Sequence, residues 1–171
     1  MFKAIKYNSN DINTDFEYLI KNKKNSLFIY NENVEAWKNK STTEGGGNAI
    51  VRPYRADIGI INYNQNFSLG IPTAYFKTKF YSIKNINYIE SNETQTLLEI
   101  IDISINNIDK FIANNKQHIN TIYWSADDDN LIGLSLFKNK FYNQSIALIF
   151  QTYITNKLKE IALKYNYQFI L

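Results

Sequence analysis

The chain has 171 residues, a length that corresponds to one domain rather than two. It contains no cysteine and one histidine, His118, which excludes a disulfide framework, a thiolate metal site and a multi-histidine metal centre. The 19 basic and 16 acidic side chains give a net charge of +3, lower than a dedicated nucleic-acid-binding protein usually carries.

The first part of the chain predicts a strand, a short helix and a second strand. Residues 2–7 alternate between apolar and polar side chains, which is typical of a strand. Residues 15–20 place three apolar side chains on one side of a short helix. Residues 26–30 form an apolar run bounded by polar residues, which predicts a buried central strand.

The middle of the chain carries most of its glycine and all of its proline. Of six glycines, three are consecutive at positions 45–47, and Pro53 and Pro72 follow. Pro53 argues against a long helix after the glycine run. Residues 69–73 predict an extended segment that ends at Pro72, because proline cannot donate to a strand ladder and marks an edge or a strand end. Residues 31–48 show little periodicity.

Two long helices are predicted in the second half. Residues 93–112 and 143–164 repeat apolar side chains at spacings of three and four, as amphipathic helices do. Residues 121–125 form a second strand-like run, and residues 167–171 predict a final strand. Strands that alternate with helices predict an α/β fold with a mixed sheet flanked by helices, in a single domain over residues 1–171.

Three polar segments are expected to meet at one edge of this sheet. Asn31 and Asn33 follow the strand at 26–30, the glycines lie at 45–47, and a polar loop spans 125–133. The carboxyl ends of strands in an α/β sheet form the ligand crevice. Consecutive glycines let the backbone approach a ligand closely and present N–H groups to an anion. A flexible linker or a tight turn is the alternative interpretation of the glycine run.

The order of these motifs resembles the macrodomain family. Asn10-Asp11-Ile12-Asn13 follows the first strand, where macrodomains have Gly-Asp-Ile-Thr, and Asn31-Glu32-Asn33 ends the second. Gly45-Gly46-Gly47-Asn48-Ala49-Ile50 corresponds to the family's Gly-Gly-Gly-Val and the helix start after it. The segment from Trp124-Ser125-Ala126 to Leu131-Ile132-Gly133 corresponds to its phosphate loop.

Two further motifs make the chain similar to uncharacterised bacterial and phage relatives of macrodomains. These motifs are Arg52-Pro53 and Gly70-Ile71-Pro72-Thr73, and the whole resemblance covers about residues 2–165. It implies a macrodomain-like fold over residues 1–171 and the binding of ADP-ribose or a related nucleotide.

The resemblance also implies a role for each predicted ligand-binding residue. Asp11, with the backbone of Ile12, would recognise adenine, and Asn31 or Asn33 would face the distal ribose. The glycine run would line the ribose and the diphosphate, while the segment from Ser125 to Gly133 would bound the phosphate groove. The complete predicted ligand-binding set is Asp11, Ile12, Asn31, Asn33, Gly45, Gly46, Gly47, Asn48, Arg52, Ser125 and Gly133.

Several charged and aromatic residues leave alternatives open. Arg52 and Arg55, the only arginines, follow the glycine run and are placed to pair with phosphate or to form structural or surface ion pairs. The acidic run at 127–129 suits either Mg²⁺ or a solvated turn, and His118 suits either a general base or a surface position. Aromatic residues alternating with lysines suit either stacking on single-stranded bases or ordinary packing. These are Tyr75, Phe76, Phe80 and Tyr81, with Lys77, Lys79 and Lys84.

The function expected from the sequence is binding of an ADP-ribose-like nucleotide or nucleotide conjugate, with hydrolysis left open. No cofactor and no metal are predicted, and the catalytic residues are left open because no nucleophile–base motif is recognisable. The alternative is a non-catalytic interaction or inhibitor protein, encoded by a phage, whose cleft is filled by side chains. Nucleic acid is not the expected partner, a protein partner belongs to the alternative, and no membrane contact is expected. The expected location is the cytoplasm, or a host cytoplasm if the gene is viral.

A valine at Gly46 is expected to abolish nucleotide binding. Its side chain would fill the space meant for ribose or diphosphate, and it would not tolerate a positive φ.

Overall fold

The fold alternates strands and helices along the chain. The computed structural model describes residues 1–59, 61–75, 81–82, 91–133 and 144–171. The strands in this part are β1 (Phe2–Lys6), β2 (Ser26–Asn33), β3 (Phe67–Tyr75), β4 (Tyr81–Ser82), β5 (Thr121–Ala126) and β6 (Phe169–Ile170). The helices are α1 (Phe16–Asn22), α2 (Val34–Lys38), α3 (Ser91–Asn115) and α4 (Gln144–Lys164), with 3₁₀ helices at Gly47–Tyr54 and Lys116–His118.

The described strands form one six-stranded sheet in the order β4-β3-β2-β5-β1-β6. Five of them, from β3 to β6 in that order, are parallel, and β4 runs antiparallel to β3 at the edge. The predicted α/β class with a mixed sheet is therefore confirmed. No helix in the described part of the chain is both long enough and apolar enough to cross a membrane.

Both faces of the sheet are covered, which explains why β2 reads as a nearly continuous apolar run. Successive side chains of a strand point to opposite faces, so Leu27 and Ile29 pack on one side, and Phe28 and Tyr30 on the other. The first side carries α3 and α4, through buried residues such as Ile101, Ile105, Ile108, Ile154, Leu158 and Ile161. The second carries α1 and the 3₁₀ helix Gly47–Tyr54, through Phe16, Leu19, Ile20, Ala49 and Val51.

The ladder between the two central strands stops before either strand ends. β2 and β5 pair from Ser26 with Thr121 to Ile29 with Trp124. β2 then continues to Asn33 and β5 to Ala126. The two strands therefore extend beyond their shared ladder at their carboxyl ends, and side chains take over the contact there.

The sequence located most of these elements correctly. The strands predicted at 26–30 and 121–125 are neighbours in the sheet, and the helices predicted at 93–112 and 143–164 are α3 and α4. The predicted helix at 15–20 is α1, capped by the Asp15 side chain, which accepts a hydrogen bond from the Glu17 N–H.

Three predictions about strand ends and loops need correction. β3 does not end at Pro72: it continues to Tyr75, because β2 remains its partner through a register shift at Glu32 and Asn33. The final strand is shorter than 167–171 and spans Phe169–Ile170. The aperiodic segment 31–48 contains α2, which has five residues and is too short to produce a pattern.

Candidate functional site

The carboxyl ends of β2 and β5 lie where the connections between strands change direction across the sheet. From β2 the chain moves to β3 on one side, whereas from β5 it moves to β6 on the other side. In open α/β sheets ligands bind at such topological switch points, outside the carboxyl ends of the strands. The fold therefore places a candidate site between the ends of β2 and β5.

Three buried polar side chains join the two strands at this point. We call Asn31, Asn48 and Ser125 the polar cluster. The Asn48 amide Nδ2 donates to Asn31 Oδ1 at 2.7 Å and to Ser125 Oγ at 2.6 Å. The Asn31 amide donates to the carbonyl of Gly133. These contacts bring Asn31 together with Ser125 and Gly133, as the sequence predicted, and Asn48 connects them to the glycine run that it follows.

The glycine loop, residues 43–47, precedes Asn48 and has an open outer surface. A side chain built at Gly46 or Gly47 would meet no atom within 4 Å. Gly47 has φ +60°, a conformation that side chains disfavour. Within the described part of the chain, the N–H groups of Gly46 and Gly47 donate no hydrogen bond. The loop therefore presents backbone donors to solvent.

Gly46 differs from its sequence expectation. Its φ is −73°, which any residue adopts, so the positive φ belongs to Gly47 and not to Gly46. Any effect of a valine at Gly46 on binding must then come from the space that its side chain fills.

Arg52 fastens the glycine loop to β2. Its guanidinium Nε and Nη2 donate to the two oxygens of Glu32 at 2.8 and 2.5 Å, and its Nη1 donates to the Thr43 carbonyl at 2.9 Å. Arg52 is 8% exposed and Glu32 is 2% exposed. A Cβ at Gly45 would lie 2.7 Å from Arg52 Nη2, so this glycine is required for the close approach.

Glu32 is the centre of a hydrogen-bond network that includes Arg52, Tyr30 and Asn33. It also accepts hydrogen bonds from the Tyr30 hydroxyl and the Asn33 N–H, both at 2.9 Å. Burial raises the pKa of Tyr30, and the neighbouring Glu32 carboxylate raises it further. Burial alone would lower the pKa of Arg52, but its hydrogen bonds and ion pair with Glu32 raise it overall. Gly70 makes room for this arrangement, since a Cβ there would lie 2.8 Å from Glu32 Cβ.

Both arginines thus form structural ion pairs, which is one of the two alternatives that the sequence left open. Arg55 pairs with Asp57 through its Nε at 2.6 Å and its Nη2 at 3.1 Å. It also donates to the carbonyls of Ala36 and Ser41, and so caps the end of α2. All three nitrogens of the Arg52 guanidinium donate to Glu32 or Thr43.

The acidic loop, residues 127–133, is held by its own first residue. Asp127 Oδ1 accepts the N–H groups of Asp129 and Leu131, and its Oδ2 accepts Gln151 Nε2 at 2.7 Å. Asp127 is 9% exposed, so the expectation of a solvated turn is wrong for this residue, whereas Asp128 and Asp129 are exposed. The described residues contain no group of three or more potential metal-ligating His, Cys, Asp or Glu side chains.

The remaining predicted site residues make local contacts. Asp11 Oδ1 accepts the Asn13 N–H at 2.9 Å within a turn after β1, and the Ile12 side chain is exposed. Asn33 Oδ1 caps α2 by accepting the Ala36 N–H at 2.7 Å. No hydrogen bond links Asp11 or Asn33 to the polar cluster within the described part of the chain. Their predicted contacts with adenine and ribose stay predictions.

The base-stacking interpretation falls partly outside the described residues, and His118 makes a local contact with an aromatic ring. Among the residues proposed to stack bases, Phe76, Phe80, Lys77, Lys79 and Lys84 lie outside the described residues. His118 is half-buried and its ring lies 4.2 Å from the ring of Tyr63.

Sequence reasoning missed the residues that hold the two loops. Gln151 and Thr155 lie about 20 residues along the chain from the acidic loop that they contact, and Glu32 acts on the glycine loop through Arg52, 20 residues away. No local spacing indicated these contacts. One signal was present in the sequence. Glu32 is a carboxylate just after the predicted strand at 26–30, and the two arginines of the chain both lie close to the glycine run.

The polar cluster, the glycine loop and the acidic loop together form the candidate site. Comparisons with protein-family models, with curated proteins and with solved structures gave no match. The relationship to macrodomains therefore stays a prediction from the sequence, and the function has to be argued from the geometry.

Proposed function

We propose that this protein binds a nucleotide of the ADP-ribose type at the carboxyl ends of β2 and β5, with the diphosphate against the glycine loop. One observation carries the proposal. The N–H groups of Gly46 and Gly47 are open, within the described part of the chain, beside a polar cluster at the switch point of the sheet.

Backbone donors suit a diphosphate for a physical reason. Successive N–H groups form a concave anion site, and glycine lets the phosphate oxygens approach without meeting a Cβ. The guanidinium of Arg52 supports this loop from behind through Thr43 instead of contacting the ligand. Neutral amide and hydroxyl groups, such as those of Asn48 and Ser125, are suited to ribose hydroxyls because they both donate and accept.

The proposal is limited to binding. A general base needs a carboxylate or imidazole within reach of the reacting proton. Asp127 and Glu32 are buried carboxylates beside the cluster, and the oxygens of both already accept hydrogen bonds. Those of Asp127 accept from Asp129, Leu131 and Gln151, and those of Glu32 from Tyr30, Asn33 and Arg52. The geometry thus supports recognition of the nucleotide, and no catalytic step is derived from it.

A thermal-shift screen with ADP-ribose, NAD, AMP and cyclic nucleotides tests the proposal, because a ligand that binds the native state raises its apparent stability. We expect ADP-ribose to give the largest rise. Calorimetry should then show binding that is lost in Gly46→Val and kept in Thr42→Val, which adds a valine to the exposed segment just before the glycine loop. No shift with any nucleotide, or equal affinity in both variants, would contradict the proposal.

A second candidate function rests on the position of Asn48. Its side chain occupies the contact between the ends of β2 and β5, as expected if the fold is kept for interaction with a protein partner and not for a ligand. The same screen separates the two functions. An interaction protein would show no stabilisation by nucleotides, while Asn48→Ala would lower its stability without changing any ligand response.

A further inference from the structure

A second groove, with a volume of about 370 Å³, lies between β3 and the C-terminal half of α3. Its floor includes Leu69 and Phe111, and Tyr63 forms one wall. None of its lining residues belongs to the polar cluster, the glycine loop or the acidic loop. Its volume falls in the range of about 300–1,000 Å³ that small-molecule sites occupy.

Tyr63 is held in place while its ring stays accessible. Its hydroxyl donates to Asn115 Oδ1 at 2.9 Å, and its ring centroid lies 4.2 Å from that of His118 and 6.1 Å from that of Phe67, the latter in a T-shaped arrangement. The residue is nevertheless 51% exposed. A fixed and exposed aromatic ring is a ready surface for stacking a flat heterocycle, since little side-chain freedom is lost on binding.

The charges of the groove favour an anion. Lys40 and Lys110 line it and are both exposed. The Lys40 ammonium donates to the Asp57 carbonyl at 2.8 Å, which orients it along the wall. Asp57 is the carboxylate among the lining residues, and its charge is matched by the bidentate pair with Arg55. The groove therefore keeps an excess of positive charge.

We propose that this groove is a second ligand site, for a nucleoside monophosphate whose base stacks on Tyr63 and whose phosphate pairs with Lys40 and Lys110. Asn107 and Asn114 line the α3 side and offer amide groups to the edge of the base. A planar ring that carries an anionic group is the chemistry that this wall and these charges share. The inference does not rest on the function proposed for the glycine loop.

Titration of ¹⁵N-labelled protein with AMP, adenosine and inorganic phosphate tests the proposal. We expect AMP to shift the amide signals of Tyr63, Asn107 and Lys110, and to bind at least about tenfold tighter than adenosine or phosphate alone, a difference of about 1.4 kcal/mol. Phosphate binding as tightly as AMP would overturn the role of the ring. Shifts confined to the glycine loop, or no shifts, would overturn the site.

Variants identify the groups responsible. Tyr63→Leu and Lys110→Glu should each weaken AMP binding by about tenfold or more, whereas Tyr63→Phe keeps the ring and should keep most of the affinity. Lys24→Glu, the same charge change on the exposed loop after α1, is the matched control and should bind like the parent. Gly46→Val should also leave this affinity unchanged, which separates the groove from the glycine loop. Equal affinity in Lys110→Glu and Lys24→Glu would contradict the proposal.

Discussion

The glycine loop and the acidic loop reach the same polar cluster, but they are held in opposite ways. The glycine loop is fastened from outside, by Arg52 and its partner Glu32, through the carbonyl of Thr43. The acidic loop is fastened chiefly by its own Asp127, which accepts hydrogen bonds from N–H groups of the loop, and Gln151 and Thr155 of α4 add contacts from outside. The support of the glycine loop contacts a backbone carbonyl of the loop, whereas the support of the acidic loop contacts backbone N–H groups of the loop.

This difference decides which loop has donors to offer. In the acidic loop the five N–H groups of residues 129–133 donate to four acceptors of the protein itself. The acceptors are Asp127 Oδ1 for residues 129 and 131, the Asp127 carbonyl for 130, Thr155 Oγ1 for 132 and the Ser125 carbonyl for 133. We therefore expect a phosphate to meet backbone donors at Gly46 and Gly47, and to be disfavoured at the other loop by the exposed carboxylates of Asp128 and Asp129.

The largest expected effect comes from breaking the external support. Glu32→Ala leaves the guanidinium of Arg52 buried without its partner, and we expect a loss of about 3–5 kcal/mol in the free energy of unfolding. Urea denaturation measures it. The double variant Glu32→Met with Arg52→Met removes both charges and should recover most of the loss. A single-variant loss below about 1 kcal/mol would show that the pair is not the support of the glycine loop.

Removing the internal support should cost somewhat less. Asp127→Ala deletes the acceptor of two N–H groups and of Gln151 Nε2, and we expect a loss of about 2–3 kcal/mol, typical of hydrogen bonds to a charged group. Hydrogen exchange should speed up at Asp129 and Leu131 and not at the glycine loop. Asp128→Ala, at an exposed neighbour, is the control. Faster exchange in both loops would mean that they are not held independently.

A methyl group tests the packing of the glycine loop itself. Gly45→Ala forces a Cβ against Arg52 Nη2 and against Ala49 Cβ at 2.8 Å, and should cost about 1–3 kcal/mol. Gly46→Ala meets no atom and has a suitable φ, so its stability should equal or slightly exceed that of the parent. Thermal unfolding of the two variants compares adjacent glycines directly. Equal losses in both would contradict the geometry of the loop.

The smallest effect is expected at Asn33. Asn33→Ala removes the cap of α2 and should lower stability by about 1 kcal/mol. Asn33→Asp keeps an acceptor for the Ala36 N–H and should retain most of the stability. If instead Asn33→Ala lowers nucleotide affinity while stability stays unchanged, the role that the resemblance implies for this residue is the correct one.

Apolar patterning was sufficient to predict the layers of this fold. The runs at 26–30 and 121–125 and the spacing of apolar residues in α3 and α4 reflect burial, and burial is set by local sequence. The same patterning stops at Tyr30, although β2 continues to Asn33. Asn31 and Glu32 are polar and nevertheless buried, where they contact Asn48 and Arg52, and no local pattern contains that information.

The acidic run shows why charge patterns mislead at a candidate site. Three consecutive aspartates indicate a solvated turn, and two of them, Asp128 and Asp129, are exposed. The first, Asp127, is buried because its carboxylate satisfies backbone donors and Gln151 from α4. Gly70 is similar: the sequence indicated an extended segment there, but the need for glycine arises from Glu32 on the neighbouring strand.

In the described part of the chain the N–H groups of Gly46 and Gly47 donate to no acceptor, whereas those of residues 129–133 all do. Following the ¹⁵N–H signals of both loops during addition of ADP-ribose tests this difference most directly. We expect the largest changes at Gly46 and Gly47, with small changes at Asp129 and Leu131. Changes centred on Asp129 and Leu131, or no change in either loop at saturating nucleotide, would contradict it.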